Sequence, residues 1–195
     1  MKHNTLAVAQ LLPHYLGFIF YEDSPRHYED TAQELPSEIK KVGVFVNADI
    51  QFISDKIHTF HLDVVQLHGE ETPEFCHQLA QQSAVEIWKV FSIKDTFDFD
   101  RLTPYEAVVD KFLFDTKGKE KGGNGYTFDW SVLKEYTSSK PIVLSGGIGL
   151  EELPKLKEIL TTELPIHVVD VNSRFEYSPG KKNIELLQKF IDTME

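Results

Sequence analysis

The sequence has very little cysteine and no long apolar run. Its 195 residues contain one cysteine, Cys76, so neither an internal disulfide nor a multi-cysteine metal framework can form. The longest apolar stretches, such as residues 15–21, are far shorter than the ~20 residues that span a membrane. The first residues lack a small-residue cleavage site, so we expect no secretory signal, no membrane partner and a cytoplasmic location.

Positive charge is also scarce. Lysine and arginine number 20 against 31 acidic residues, which gives a net charge of −11. Non-specific nucleic-acid binding depends on clustered basic residues, so we expect no nucleic-acid partner. A small anionic ligand held by a few local donors is compatible with this charge. The composition excludes collagen, coiled coil and wholesale disorder, and the length favours one domain over residues 1–195.

Seven short runs of apolar, β-branched and aromatic residues recur along the chain. Most are continuous rather than alternating, which is typical of strands buried on both faces of a parallel sheet. The runs cover residues 15–20, 41–46, 64–68, 87–91, 111–115, 141–145 and 167–171. Their spacing fits a strand, a crossover helix and two loops per unit. The pattern therefore predicts an α/β domain with seven parallel strands.

Amphipathic patterns predict eight helices between and around these runs. They cover residues 5–12, 51–61, 72–82, 149–160 and the C-terminal segment to 194, with weaker patterns over 28–35, 96–102 and 128–136. A regular β/α repeat opens with a strand, and eight units close a barrel. Eight helices with seven strands therefore fit a barrel without its first strand, although an open doubly wound sheet can also begin with a helix.

Functional side chains in β/α folds lie at the carboxyl ends of strands. Asp115 ends one apolar run and precedes a loop containing Gly118, Gly122, Gly123 and Gly125. Glycines at this density suit a loop that closes over a small ligand. The pattern favours a functional carboxylate at Asp115, and a helix cap or turn residue is the alternative.

Two further strand ends predict an anion site. Gly146 and Gly147 follow the run 141–145 and precede a predicted helix, where free backbone N–H groups and the helix dipole attract anions. The last run ends at Asp170, with Asn172 and Ser173 close behind, and residues 179–182, which include Lys182, add further donors. We expect a cradle for phosphate built from these two loops, while a plain tight turn remains the alternative for the glycine pair.

Three more residues have two interpretations each. Arg26 follows the first run and suits a two-point contact with a carboxylate, or it is a solvated surface arginine. His68 ends the third run and either lines the site or is a hydrogen-bonded structural histidine. Cys76 lies on the apolar face of the predicted helix 72–82, so we expect an inert core residue rather than a nucleophile.

An ordered set of motifs resembles the phosphoribosylanthranilate isomerase family over almost the whole chain. The motifs are LGFIFYxxSPR (16–26), VGVFVN (42–47), VVQLHGEE (64–71), FDTKxxxxGGxGxTFDW (114–130), VLSGGI (143–148) and VDVNSxxExxPGKK (169–182). The resemblance implies a (β/α)8 TIM barrel that acts in tryptophan biosynthesis without cofactor or metal. The reaction is the Amadori rearrangement of N-(5-phosphoribosyl)anthranilate to 1-(2-carboxyphenylamino)-1-deoxyribulose 5-phosphate, by a monomer or homodimer.

The same resemblance implies roles for the residues at the strand ends. Asp115 would be the general acid and Arg26 would bind the anthranilate carboxylate. The phosphate would be held by the backbone at Gly146 and Gly147 and by the segment at Asn172 and Ser173. Asp170 and His68 would line the site. A non-catalytic phosphosugar-binding barrel derived from the same family is the alternative function.

One departure from the family pattern concerns the general base. The family's first strand ends in Lys-x-Cys-Gly, whose cysteine is the base, and this sequence begins directly after that position. Cys76 maps to a later helix and cannot replace it. We expect a start assigned to an internal methionine, with a degenerate homologue as the alternative. Either case predicts little isomerase activity, and the two unpaired strand edges predict a dimer or disorder at residues 1–4.

A second departure lies beside the expected phosphate site. Arg174 follows Ser173 where the family usually has glycine, which would alter how the backbone approaches the phosphate.

Overall fold

The computed structural model describes residues 1–116 and 127–194. Its centre is an all-parallel sheet of seven strands, in which each strand pairs with the next one along the chain. The strands are β1 (Tyr15–Ile19), β2 (Lys40–Phe45), β3 (Val64–Leu67), β4 (Glu86–Ile93), β5 (Lys111–Thr116), β6 (Ile142–Leu144) and β7 (Ile166–Val169). The seven predicted runs are confirmed as strands.

Helices and short 3₁₀ segments connect these strands. The α-helices are α1 (Thr5–Ala9), α2 (Ile50–Phe60), α3 (Pro73–Gln82), α4 (Leu153–Leu160) and α5 (Ile184–Met194). The 3₁₀ segments are Phe99–Tyr105, Trp130–Glu135, Leu150–Glu152 and Ser173–Phe175. A small antiparallel hairpin of β8 (Glu176–Ser178) and β9 (Lys181–Lys182) follows β7.

The predicted count of eight helices is not reproduced in residues 1–116 and 127–194. The segment 28–35 is not helical, because the Tyr28 N–H donates to the Ile19 carbonyl and the Tyr28 hydroxyl to the Thr31 carbonyl. Pro36 also disfavours a helical conformation at the preceding residue. The weak patterns over 96–102 and 128–136 correspond to 3₁₀ segments rather than α-helices.

The sheet is curled and buries apolar side chains on both faces. A large outer core lies between the strands and the helices. A smaller inner cluster fills the concave side, formed by Val42, Val44, Val64, Trp88, Val90, Leu113 and Val143. Burial on two faces explains why the strands read as continuous apolar runs.

The two edge strands, β1 and β7, differ from the strands between them. β3 and β6 are fully buried, whereas three of the four residues of β7 are half-buried and His167 is exposed. Neither edge pairs with the other, so a gap separates β1 from β7.

Residues 1–4 lie beside this gap and are held by hydrogen bonds. The amino group of Met1 donates to the Gly17 carbonyl, and Asn4 exchanges two 2.9 Å hydrogen bonds with the backbone of Lys182. These contacts contradict the expected disorder at residues 1–4, and the dimer remains a prediction. None of the helices in the described ranges is long and apolar enough to cross a membrane.

Candidate active site

The carboxyl ends of the parallel strands open into one large cavity. Its volume is about 980 Å³, and it continues from the strand ends into the gap between β1 and β7. All eight residues that the sequence analysis assigned to the site line it: Arg26, His68, Asp115, Gly146, Gly147, Asp170, Asn172 and Ser173. They meet because parallel strands present all their carboxyl ends at the same edge of the sheet. Their individual roles stay predictions.

Asp115 is a buried carboxyl near the end of β5, with 5 % of its surface exposed. One oxygen, Oδ1, accepts a hydrogen bond from the Thr116 N–H at 2.8 Å. The other, Oδ2, lies 3.4 Å from Nε2 of His68. A carboxyl held in this way, at the wall of a cavity and beside an imidazole, is suited to proton transfer with a bound ligand.

The two positions after β6 require glycine, because of their backbone conformation and, at Gly146, because of close neighbours. Gly146 has φ of +92° and Gly147 has φ of +68°. A Cβ on Gly146 would lie 2.4 Å from the Thr116 nitrogen and 2.7 Å from Oδ1 of Asp115. Within the described ranges, the N–H groups of both glycines donate to no protein acceptor. Two free donors beside a cavity are what an anion cradle requires, and the binding of an anion here stays a prediction.

Asp170 comes directly after β7 and is anchored to β6. Its N–H donates to the Leu144 carbonyl at 2.8 Å, and its Oδ2 accepts a 2.9 Å hydrogen bond from the Ser145 hydroxyl. Burial raises the pKa of Asp170, the Ser145 hydrogen bond opposes that shift, and the neighbouring Asp115 carboxyl adds to it. Asp170 therefore retains a proton at higher pH than an exposed aspartate does.

Arg26 forms a two-point contact with a carboxylate of the protein itself. Its Nε and Nη2 donate to Glu176, at 2.9 Å and 2.8 Å from Oε2, and its side chain is 14 % exposed. The alternative of a solvated surface arginine is therefore wrong. Its Nη1 donates to no acceptor in the part of the chain that the structure describes.

Lys182 joins Glu176 to the expected phosphate loop. Its Nζ donates to Oε1 of Glu176 at 2.9 Å, to the Asn172 carbonyl at 3.1 Å and to the Asn172 side-chain oxygen. Burial lowers the pKa of Lys182. Burial would raise the pKa of Glu176, but Arg26 and Lys182 outweigh it and lower that pKa.

Sequence reasoning did not single out Glu176, and it placed Lys182 only among the donors that follow the last strand. Both stand in the motif VDVNSxxExxPGKK, so their place in that pattern was the available signal.

Arg174, next to the expected phosphate loop, forms an ion pair with Glu151 at 2.8 Å. Ser173 begins the 3₁₀ segment Ser173–Phe175.

Cys76 lies outside the cavity, fully buried on α3. Burial raises the pKa of its thiol to about 11, so the reactive thiolate is rare at neutral pH. The predicted buried position is confirmed.

In residues 1–116 and 127–194 no group of three or more His, Cys, Asp or Glu side chains can hold a metal ion. The predicted closing loop with Gly118, Gly122, Gly123 and Gly125 lies outside the described residues.

The curled parallel sheet, with polar residues at the carboxyl ends of its strands, defines a β/α protein of the TIM-barrel type. A family model described as "N-(5'phosphoribosyl)anthranilate (PRA) isomerase" matches residues 2–193. The chain belongs to this family.

Relatives with this name cover almost the whole chain. The N-(5'-phosphoribosyl)anthranilate isomerase of Parabacteroides distasonis is 42% identical over 197 residues, covering 96% of this chain and 86% of that protein. That of Phocaeicola vulgatus is 36% identical over 192 residues, covering 98% of this chain and 92% of that protein.

Solved structures agree in fold. Phosphoribosyl anthranilate isomerase from Thermotoga maritima is 31% identical with a TM-score of 0.81, covering 98% of this chain and 94% of that chain. A phosphoribosyl anthranilate isomerase in complex with reduced 1-(o-carboxyphenylamino)-1-deoxyribulose 5-phosphate is 29% identical with a TM-score of 0.78, covering 96% of this chain and 90% of that chain.

Proposed function

We propose that the chain catalyses the Amadori rearrangement of N-(5-phosphoribosyl)anthranilate in tryptophan biosynthesis, with Asp115 as the general acid. The observation that carries this proposal is the placement of Asp115. Its carboxyl is buried at the cavity wall, 3.4 Å from His68, and the free N–H groups of Gly146 and Gly147 line the same cavity.

The chemistry assigns a proton donor and a proton acceptor. The acid gives its proton to the furanose ring oxygen, the bond from this oxygen to C1′ breaks, and the ring opens to a protonated Schiff base. A base then removes the proton from C2′, and the resulting enol relaxes to the ketone. Asp115 supplies the first proton, which is the step its position beside the cavity supports.

The two anionic groups of the substrate match two sets of donors. We assign the phosphate to the N–H groups of Gly146 and Gly147 and to the loop of Asn172 and Ser173, since free backbone donors favour a phosphate. We assign the anthranilate carboxylate to Arg26, whose Nη1 is available while Glu176 holds the other side of the guanidinium. Local donors suffice here although the net charge is −11.

The second step needs a base, which the family pattern gives as a cysteine. The single cysteine of the sequence, Cys76, is buried outside the described cavity and cannot serve. We propose that the gap between β1 and β7 is the place of a further parallel strand that brings the base, as the family pattern Lys-x-Cys-Gly implies. The half-buried β7 and the unpaired edges support this proposal. Turnover by the 195-residue chain alone is then low.

The test measures turnover with and without such a strand. The chain is extended before Met1 by an apolar strand ending in Lys-x-Cys-Gly, and substrate and product are separated by chromatography. We expect the extended chain to be at least 10²-fold more active than the original chain, and the same extension with serine in place of cysteine to lose most of the gain.

The Asp115→Asn variant of the extended chain tests the acid. We expect its kcat to fall by about 10²–10⁴-fold, the usual contribution of a positioned acid or base. An extended chain that binds the phosphorylated ligand yet never turns over substrate would instead favour the non-catalytic binding barrel.

A further inference from the structure

A buried ion pair lies behind the loop that carries His68. Lys89 of β4 is 2 % exposed and Glu71 is 5 % exposed, and Nζ of Lys89 lies 3.1 Å from Oε2 of Glu71. Desolvating two charges cancels much of their attraction, so such a pair adds little net stability over an apolar pair of similar size. The hydrogen bonds that the two side chains make to the backbone are therefore their more specific contribution.

Lys89 binds the backbone of the loop after β3. Besides Glu71, its Nζ donates to the Gly69 carbonyl at 2.8 Å and to the carbonyls of Leu67 and Val90 at 3.3 Å each. The acceptors at Leu67 and Gly69 stand on either side of His68 in the chain. One ammonium group thus fixes the backbone before and after the histidine.

Glu71 ties the same loop to the end of β2. Its carboxylate accepts hydrogen bonds from the N–H groups of Asn47 at 2.8 Å and of Gly69 at 3.0 Å and 3.1 Å. The Asn47 side-chain oxygen accepts in turn from the Glu70 N–H at 2.6 Å. A Cβ on Gly69 would lie 2.2 Å from that oxygen, so the loop and Asn47 are in close contact.

His68 receives its position from this clamped loop. Its N–H donates to the Phe45 carbonyl at 2.8 Å, and its Nδ1 lies 3.4 Å from Nε2 of Gln66. Its Nε2 faces Oδ2 of Asp115 at 3.4 Å. The side-chain contacts of the imidazole with the protein are long, so the backbone of the loop dominates its placement.

A second lysine–glutamate pair offers a matched comparison at the opposite end of the strands. Lys111 and Glu86 open β5 and β4 and form an ion pair. Lys111 is 7 % exposed and lies 5.4 Å from the ring centroid of Trp88, much as Lys89 lies 5.6 Å from that of Phe91. In the described ranges, no hydrogen bond or ion pair joins Lys111 or Glu86 to residues 67–71.

We propose that Lys89 and Glu71 are positioning residues for the acid of the site, because they hold the His68 loop so that the imidazole faces Asp115. This inference rests on the proposed function, since Asp115 is the acid only there. Neither residue lines the cavity, so both act through His68. Displacement of a positioned group by about 1 Å can lower a rate by as much as about 10²-fold.

The test compares Lys89→Met with Lys111→Met. The NMR resonances of the His68 ring are recorded with and without Asp115→Asn, because a carboxylate 3.4 Å away affects them directly. We expect Asp115→Asn to shift these resonances strongly in the parent chain and in the Lys111→Met chain, and only weakly in the Lys89→Met chain. Glu71→Gln gives a milder version of the same test, because it keeps a side-chain oxygen for the Asn47 and Gly69 donors.

Turnover in the strand-extended chain supplies the second readout. We expect Lys89→Met to lower kcat by about 10–100-fold with KM almost unchanged, and Lys111→Met to change neither. When His68→Asn is already present, Lys89→Met should lower kcat little further, because its effect on kcat passes through the imidazole.

The two proposals fail in different ways. A His68 response that persists fully in Lys89→Met and Glu71→Gln, or that disappears equally in Lys111→Met, overturns the positioning role. Absence of turnover in every extended chain, with the NMR response as expected, overturns the proposed function and leaves standing that Lys89 and Glu71 hold the His68 imidazole against Asp115.

Discussion

The sheet has a complete side and an open side. Around β3, β4 and β5 every strand has two neighbours, and the carboxyl of Asp115 is held by Thr116 and faces His68. Around β7 and β1 each strand has one neighbour and a gap separates them. The proposed acid, Asp115, is therefore held in place by the chain itself, whereas the proposed base is expected at an unpaired edge.

Both sides use buried charges, but for different ends. On the complete side, Lys89 and Glu71 hold a backbone loop. On the open side, Glu176 holds Arg26 and Lys182, two cations beside the cavity. The first pair holds the loop that carries His68, which faces the proposed acid, and the second cluster holds cations that suit an anionic ligand.

Gly146→Ala should have the largest effect, because the added Cβ would meet Thr116 and Asp115 at the end of β5 on the complete side. Its positive φ and the 2.4 Å approach to Thr116 predict a loss of about 1–3 kcal/mol in the free energy of unfolding. We also expect at least about tenfold weaker binding of reduced 1-(o-carboxyphenylamino)-1-deoxyribulose 5-phosphate by calorimetry, because a charge-assisted hydrogen bond is worth about 1.5–3 kcal/mol. Gly17→Ala on β1 is the control, since a Cβ there meets nothing within 4 Å. Equal losses at both glycines would contradict the steric argument.

A matched pair of valines compares packing on the two sides. Val143 of β6 is fully buried in the inner cluster, whereas Val168 of β7 is half-buried at its margin. We expect Val143→Ala to lower the free energy of unfolding by about 2 kcal/mol, from lost transfer energy and the cavity left behind. Val168→Ala should cost less than about 1 kcal/mol. Denaturant unfolding measures both, and a larger loss at Val168 would mean that the open side is packed as tightly as the rest.

Glu176→Gln tests the charge cluster through pH. The folded-state pKa of Glu176 is lowered from its usual 4.5, so its ionisation stabilises the fold above about pH 4.5, and this contribution is lost as pH falls through the lower folded value. We expect Glu176→Gln to cost about 1 kcal/mol at pH 7, because the hydrogen bonds from Arg26 and Lys182 then lose a charged acceptor. The loss measured by denaturant unfolding should be smaller at pH 4, and a pH-independent loss would argue against the charge effect.

Cys76→Ala should change the site least. The thiol is buried outside the cavity and burial raises its pKa to about 11. We expect unchanged affinity for the same ligand, and slow reaction of Cys76 in the parent chain with a disulfide reagent at pH 8. Rapid labelling, or lost affinity in the variant, would place this cysteine nearer the chemistry than the structure does.

The strands and the residues of the site could be predicted from the sequence for physical reasons. Runs buried on both faces stay apolar throughout, and parallel strands bring their carboxyl ends together. The partners of those residues could not be predicted, because Arg26 meets Glu176 across 150 positions. The contact of Lys89 with Glu71 depends on the register of β4 against β3, which sets Lys89 opposite Leu67. The helix expected over 28–35 was wrong because Tyr28 bonds to the Ile19 carbonyl at the end of β1. The location in the cytoplasm and the choice between monomer and homodimer remain predictions.

The proposed site is tested most directly by the crystal structure of the chain with reduced 1-(o-carboxyphenylamino)-1-deoxyribulose 5-phosphate bound. We expect the phosphate within hydrogen-bond distance of the N–H groups of Gly146 and Gly147, the carboxylate at Arg26, and the sugar chain within reach of the Asp115 carboxyl. A phosphate bound elsewhere, or a sugar chain out of reach of Asp115, would contradict the proposed function.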